Sequence, residues 1–379
     1  MKVSCFILHK FKGQICKMKI AFLVVNLGCG GVERTVTYLS DFFAKHGEDV
    51  SIVCISDEQF YDISPDVDLV RLDIPSECNG ILDRIRKIIL RYIKIYQSMK
   101  RIKPDCLMCL DAEMIRYVYW QHKFGHFKLV TSERNNPLVD SEKKKKLKYK
   151  SFRNSDGIVF QTQRAQECFP DDIAKKGIVI PNAVGNEYVF KSPKTDVRRK
   201  VITAAGRLTE QKDYPTLFKA FARFINVHPD YRLEIYGKGE DLDSLKDLAC
   251  KLCIDSLVDF KGAVKDAITP IASSSCYVMS SLYEGMPNAL MEAMAVGVPC
   301  VSTDCPFGPR ELIEDGENGV LVPVGNTQAL AEAIIRMVEE KDFAESCGNS
   351  ARSILEKQSI DRVSRLYLDY VYQITHKQL

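Results

Sequence analysis

The sequence predicts an α/β protein of two doubly wound domains facing each other across a cleft. Three observations predict it. Short apolar runs alternate with helix-period segments along nearly the whole chain, the pattern of strands covered on both faces by helices. Glycine-rich or polar turns follow several of these runs, where a parallel strand hands over to its helix. The pattern stops at a polar, charged stretch, residues 183–198, and then begins again. At 379 residues the chain is long enough for two such cores.

Composition narrows the class. Hydrophobic residues make up 46% and charged residues 27%, ordinary for a soluble globular protein. A net charge of +3 does not argue for nucleic acid, and the basic runs lack interleaved exposed aromatics, so no nucleic-acid partner is expected. No run approaches the roughly 18 apolar residues that span a bilayer. Residues 1–17 are too weakly apolar for a signal peptide, and Met18 opens a clean strand pattern, so they read as a peripheral extension. The cysteines, among them Cys54, Cys106, Cys109, Cys276 and Cys300, sit in apolar or helical contexts, which suits a reducing compartment. Cys106/Cys109 and Cys250/Cys253 have C-x-x-C spacing without the flanking His or turn glycines of a zinc site. Strand alternation would point Cys106 and Cys109 to opposite faces. No metal site is expected.

The first domain spans 18–182. Residues 19–26 are an apolar strand, followed by the turn Gly28-Cys29-Gly30-Gly31, a helix over 32–46 and a strand over 50–55. This is a β-α-β unit whose glycines do not form G-x-G-x-x-G. The turn is either simply tight or kept small for a ligand to approach its backbone. Residues 81–103 form a basic helix with Ile85, Ile88, Ile89, Tyr92, Ile95 and Tyr96 at helical spacing. That face either packs on the core or rests on an anionic bilayer surface. Lys143, Lys144, Lys145, Lys146, Lys148 and Lys150 form a second basic run suited to the same surface. Strands follow at 105–110 and 128–131. The second runs into Ser132-Glu133-Arg134-Asn135-Asn136-Pro137, a polar loop at the carboxyl end of a parallel strand, where ligands bind. Strands at 157–161 and 177–180 lead to Pro181-Asn182.

The second domain spans 199–355. A strand at 200–205 precedes the loop Gly206-Arg207-Leu208-Thr209-Glu210-Gln211-Lys212. A strand at 231–236 precedes Gly237-Lys238-Gly239-Glu240, and strands at 258–261 and 276–280 lead into residues 281–310. There a loop carries Glu284, Gly285 and Pro287 open an apolar helix, and Glu292 follows eight positions after Glu284. Gly297 and Pro299 end that helix before strand 300–302, and a last strand covers 319–322. Residues 356–379 are expected to form a helix packing back on the first domain.

Charge complementarity suggests a ligand. The first N–H groups of a helix are unsatisfied and attract anions. Arg207 can fork onto phosphate oxygens and Lys212 can add a point charge, which together suit a diphosphate. Gly237 and Gly239 permit close backbone approach, and carboxylates accept hydrogen bonds from ribose or sugar hydroxyls. A ligand anionic at one end and hydroxyl-rich at the other, a nucleotide-sugar, fits this set.

Gly206-Arg207 with Lys212, Gly237-x-Gly239, and Glu284-Gly285-x-Pro287 with Glu292 resemble the retaining glycosyltransferases of family 4. Gly30-Gly31-x-Glu33-Arg34, Pro181-Asn182, Gly297-x-Pro299 and Asp315-Gly316-x-x-Gly319 support the resemblance. It implies the GT-B fold, two Rossmann-like domains across a cleft. It further implies that Arg207 and Lys212 hold the donor diphosphate, that Glu284 lies by the transferred sugar, and that Glu292 binds the ribose. Gly30 and Gly31 would lie beside the donor phosphates, with Gly206, Gly237, Gly239, Gly285, Met286, Pro287, Asn288 and Ala289 completing the donor site. Many relatives carry a His where this chain has Glu133-Arg134, which makes these two the acceptor-side candidates.

The expected reaction moves a hexose or N-acetylhexosamine from a UDP-linked donor to a polyprenyl-diphosphate-linked glycan at the cytoplasmic face of the inner membrane. No cofactor or metal is expected. Asp66-Val67-Asp68 repeats the D-x-D of metal-dependent transferases of another fold and reads as a chance match. The alternatives are a non-catalytic nucleotide-sugar-binding protein, or an epimerase or phosphorylase on the same scaffold.

Overall fold

Continuous apolar runs become the central strands of two parallel sheets. The computed structural model describes residues 17–28, 30–75, 80–134, 136–185, 188 and 198–376. Almost all of the expected extension 1–17, Cys29, Asn135 and most of the connector 183–198 lie outside the described residues.

The first sheet holds β1 (Lys19–Val24), β2 (Asp49–Cys54), β3 (Asp68–Arg71), β4 (Cys106–Cys109), β5 (Lys128–Glu133), β6 (Gly157–Phe160) and β7 (Gly177–Val179), in the order β3-β2-β1-β4-β5-β6-β7. The second holds β8 (Arg199–Ala205), β9 (Arg232–Tyr236), β10 (Val258–Gly262), β11 (Ser274–Met279), β12 (Cys300–Thr303) and β13 (Val320–Val322), in the order β10-β9-β8-β11-β12-β13. All these pairings are parallel. Each order reverses beside its first strand, between β1 and β4 and between β8 and β11. Ligands bind outside the carboxyl ends of strands at such switch points.

Helices cover both faces of the first sheet. On one side α1 (Gly31–Lys45) packs with the closing helix Ile360–His376, and Val36, Leu39, Phe43, Val363, Tyr367 and Val371 share a cluster with Phe22. On the other lie the C-terminal part of α2 (Ile81–Ile102) and α3 (Ile115–Lys123), through Ile95, Met99 and Val118. Cys106 belongs to the first cluster and Cys109 to the second, so they do point to opposite faces. Tyr370 fastens the closing helix to the sheet: its hydroxyl donates to the Lys176 carbonyl at 2.6 Å and accepts from the Ile158 N–H at 3.0 Å. Where the chain returns toward the first domain it runs beside the outgoing connector, and the Val184 N–H donates to the Gln358 carbonyl at 2.8 Å.

Three expectations change. Of the six apolar positions expected to share one face of α2, only Ile95 is buried; Ile85, Ile88, Ile89, Tyr92 and Tyr96 remain 40–53% exposed. The helix packs against the core through Leu90, Ile95, Met99 and Ile102, most of them in its carboxyl-terminal half. The lysine run lies on α4 (Glu142–Arg153), and Lys148 turns inward from it, because α4 buries Phe152 one turn later on the same side. Strand β5 continues two residues beyond Thr131. The Thr131 and Ser132 hydroxyls donate to the Cys109 and Leu110 carbonyls at 2.8 and 3.0 Å, and Glu133 pairs in register with Phe160. Glu133 is therefore a buried strand residue, not part of an open loop.

Candidate functional site

The loops after β8 and β9 lie across one another with no spare room. A Cβ on Gly237 would come within 1.8 Å of the Gly206 carbonyl oxygen, and one on Gly239 within 2.0 Å of the Leu208 carbonyl oxygen. Backbone bonds lock the crossing: Gly206 N–H to Tyr236 O and Leu208 N–H to Lys238 O, both 2.9 Å. The loop so fixed carries Arg207 and Lys212. Arg207 is exposed, and its Nη2 donates to Gln211 Oε1 at 3.3 Å. Lys212 reaches the next loop and pairs with Glu284 at 2.6 Å. Glu284 is 7% exposed and also accepts from Ser281 Oγ at 2.7 Å and Gln211 Nε2 at 3.4 Å. Burying a polar group costs free energy unless it has such hydrogen-bond partners.

Glu284 precedes the helix Asn288–Ala295, whose first turn faces the opposite domain. A Cβ on Gly285 would meet the Arg134 carbonyl oxygen at 2.6 Å, so the two domains touch here. Asn182 organises the contact. Its side-chain nitrogen donates to Asn288 Oδ1 at 2.8 Å and the Met286 carbonyl at 3.3 Å, and its oxygen accepts from Arg134 Nη2 and Gln161 Nε2, both at 2.6 Å. Gly30 caps the start of α1, and Gly31 lies against Asn288. Ala289 packs against the apolar cluster beneath the helix. Glu292, on the second turn, forms an ion pair with Arg34 of α1, and Arg34 Nη2 donates to the Tyr188 hydroxyl at 2.8 Å. Burial opposes the charge on Arg34, but Glu292 and Tyr188 outweigh it and raise its pKa above the usual range.

Facing this helix, the carboxyl ends of β1, β4 and β5 open into a cavity of about 570 Å³. Glu33, Asp111, Glu133, Lys148, Asn182 and Asn288 are among its lining residues. Glu133 is 3% exposed and pairs with Lys148 at 2.7 Å, and Lys148 also binds Asp140. Burial opposes the charge on Lys148, and Glu133 and Asp140 overcome it and raise its pKa. Burial pushes the Asp111 carboxyl upward. Arg134 is braced: its guanidinium donates to Thr35 Oγ1 at 2.7 Å, to Asn182, and to the Tyr367 hydroxyl at 3.4 Å. Neither acceptor-side candidate is an open side chain; Glu133 is ion-paired and Arg134 acts as a strut.

The structure thus brings Lys212, Glu284, Asn288 and Glu292 to one helix start, with Gly30, Gly31 and Met286 at the seam above it. The sequence assigned no role to Arg34, Gln161 or Asn182, and it placed Lys148 in the run facing a bilayer, whereas Lys148 pairs inward with Glu133 and Asp140. Arg34 and Asn182 stood within the supporting matches, so position was the available signal; Lys148 was hidden in a solvated run. Among the described residues, no group of three His, Cys, Asp or Glu could hold a metal ion, and Asp68 is an exposed partner of Arg101 at 3.8 Å. Among the described residues no helix is long and apolar enough to cross a membrane.

Comparison with known proteins agrees with this geometry. Residues 29–187 match the family described as Glycosyltransferase Family 4, and residues 186–354 match Glycosyl transferases group 1. The lipopolysaccharide core biosynthesis glycosyltransferase LpsE of Rhizobium meliloti is 33% identical over 270 residues, covering 70% of this chain and 73% of the relative. An enzyme of Campylobacter jejuni is 25% identical over 377 residues, covering 93% of this chain and 99% of its own. It is named N-acetylgalactosamine-N,N'-diacetylbacillosaminyl-diphospho-undecaprenol 4-alpha-N-acetylgalactosaminyltransferase. The solved structure of Anabaena Alr3699/HepE with UDP and glucose superposes with a TM-score of 0.78 at 18% identity, covering 94% of this chain and 99% of that one. Two parallel-sheet domains, a helix start set with paired charges, and these matches in both halves make the chain a member of the family 4 glycosyltransferases, with the GT-B fold.

Proposed function

We propose that the protein transfers a hexose or N-acetylhexosamine from a UDP-linked sugar to a polyprenyl-diphosphate-linked glycan, with retention at the anomeric carbon and without a metal. The observation that carries the reading is the Lys212–Glu284 pair at the start of the helix Asn288–Ala295. It joins a cation and a carboxylate where the helix N-terminus already favours an anion.

Breaking a sugar–phosphate bond builds negative charge on the departing diphosphate and positive charge on the anomeric carbon. Lys212, held by Glu284, and the helix N-terminus are fixed positive groups that would stabilise the leaving group without reorganising, and the exposed Arg207 would close onto it. Glu284 holds Lys212 and offers its carboxylate to the transferred sugar, while Glu292 accepts from the ribose. The acceptor glycan would enter the cavity beside Glu133, where buried carboxylates can accept from sugar hydroxyls. Retention requires its hydroxyl to attack from the face the diphosphate leaves, and the diphosphate can take the proton. The names of relatives that act on undecaprenol-linked glycans support this acceptor class.

Such an acceptor lies on a membrane, and the chain has a matching surface. Ile81, Leu82, Ile85 and Ile89 of α2 are 49–84% exposed beside the exposed Arg84 and Arg86. The Tyr92 and Tyr117 rings, 4.8 Å apart, join α2 to α3, which exposes Trp120 and Phe124. Exposed apolar groups set among cations suit an anionic bilayer at the cytoplasmic face. On α4, the outward Lys143, Lys146 and Lys150 would add to it, whereas Lys148 is committed inside.

The test is direct. Purified protein is screened by thermal shift against UDP-, GDP- and TDP-sugars, and the stabilising donor is assayed for transfer to polyprenyl-diphosphate-linked acceptors. A glycosylated lipid with the donor's anomeric configuration is expected. Donor binding without transfer to any acceptor would instead favour a non-catalytic binding protein.

A further inference from the structure

Glu292 is already occupied. Its partner, Arg34, belongs to the opposite domain and stands in the first turn of α1, three residues beyond Gly31. The Arg34 and Glu292 side chains are 20% and 17% exposed, so the pair is largely withdrawn from water. The second guanidinium arm donates to the Tyr188 hydroxyl at 2.8 Å, and the guanidinium carbon lies 5.6 Å from the centre of that ring. The domains are close here: a Cβ on Gly31 would stand 3.0 Å from Asn288 Nδ2. Arg34 therefore lies beside the first turns of the helix whose start is the proposed diphosphate site.

The pair creates a conflict. Arg34 holds Oε1 of Glu292, so a ribose that binds both carboxylate oxygens through its two hydroxyls must displace the arginine. A guanidinium stripped of its carboxylate in a partly buried cleft is strongly disfavoured. A nucleoside alone supplies nothing to replace the lost charge. A nucleoside diphosphate carries its own anion to the adjacent helix start, and a guanidinium fork suits phosphate oxygens.

We propose that Arg34 is a counter-cation passed between two partners: it neutralises Glu292 in the empty enzyme and moves to the donor diphosphate when the ribose takes Glu292. The inference rests on the reading of a nucleotide-diphosphate donor with its ribose at Glu292. Arg34 is then a specificity-determining residue that makes the site favour nucleoside diphosphates over nucleosides. A staple that merely held the domains together would affect both ligands alike.

The experiment measures binding to the full chain by isothermal titration calorimetry, using UDP, GDP and TDP and the matching nucleosides. Wild type is compared with Arg34→Gln and Arg34→Lys, with circular dichroism to establish folding. For the diphosphate that binds wild type, Arg34→Gln should weaken affinity by between about tenfold and about a hundredfold, the range for losing hydrogen bonds to a charged group. Nucleoside affinity should stay level or improve, because Glu292 is freed. Arg34→Lys should retain part of the preference. An equal loss for both ligands, or an unchanged diphosphate affinity, overturns the inference and leaves the donor reading standing. If no nucleoside diphosphate binds wild type, the donor reading itself fails and the inference falls with it.

Discussion

Replacing Lys212 by alanine removes the one cation that, among the described residues, pairs with Glu284, a carboxylate that is 7% exposed. At 2.6 Å the pair's gross attraction is about 6 kcal/mol with an effective dielectric of about 20. Most of that offsets the desolvation of the two charges. The measurable quantity is the penalty for stranding Glu284, about 3 kcal/mol, at the low end for a broken buried pair because the Ser281 and Gln211 hydrogen bonds remain. Urea denaturation of the second domain, followed by circular dichroism, should show the lowered midpoint. Turnover at saturating donor should fall by roughly 10²–10³, the scale for one charge-stabilising group. Adding Glu284→Gln to Lys212→Ala separates the two effects: it should restore most of the stability and none of the turnover. Near wild-type turnover in Lys212→Ala at saturating donor would refute the assignment of Lys212 to the leaving group.

Other consequences can be checked separately. Full transfer activity is expected in excess EDTA; a requirement for added divalent metal would return attention to Asp66 and Asp68. Gly239→Ala should destabilise the second domain by about 2–3 kcal/mol, since its Cβ would stand 2.0 Å from the Leu208 carbonyl oxygen and one loop must move; an unchanged melting temperature contradicts this. Trp120 is the only tryptophan and is 61% exposed, so its emission should shift to the blue with vesicles rich in phosphatidylglycerol and not with phosphatidylcholine alone. An identical spectrum with both vesicles counts against the bilayer surface. Glu133→Gln should weaken acceptor use while leaving UDP affinity unchanged, because Glu133 lies on the first-domain wall of the cavity and bonds Lys148, not a donor loop; an equal loss in UDP affinity argues against that division.

What the sequence made legible followed local periodicity. The apolar runs at 19–26 and 276–280 correspond to β1 and β11, and the restart after the connector corresponds to a second sheet. Lys212 and Glu284 could be nominated because each stands just past a strand end of the second domain, after β8 and β11. Pairings across domains were not legible, because spacing along the chain carries no information about what faces a residue across a cleft. Arg34 meets Glu292 across 258 positions and Asn182 meets Asn288 across 106. Glu133 was read as loop because its polar character outweighed the strand pattern. Lys148 supplies the buried counter-charge that allows that strand to continue.

The outward connector and the returning chain cross between the domains side by side, bound at Val184 and Gln358. Two covalent tethers lying together act like the spine of a book. Sliding or twisting of one half over the other would pull on one tether and slacken the other, whereas opening about their common line strains neither. Groups near the spine, such as Asn182, would then move least. Groups farthest from it would swing through the widest arc as a donor enters and the nucleotide leaves.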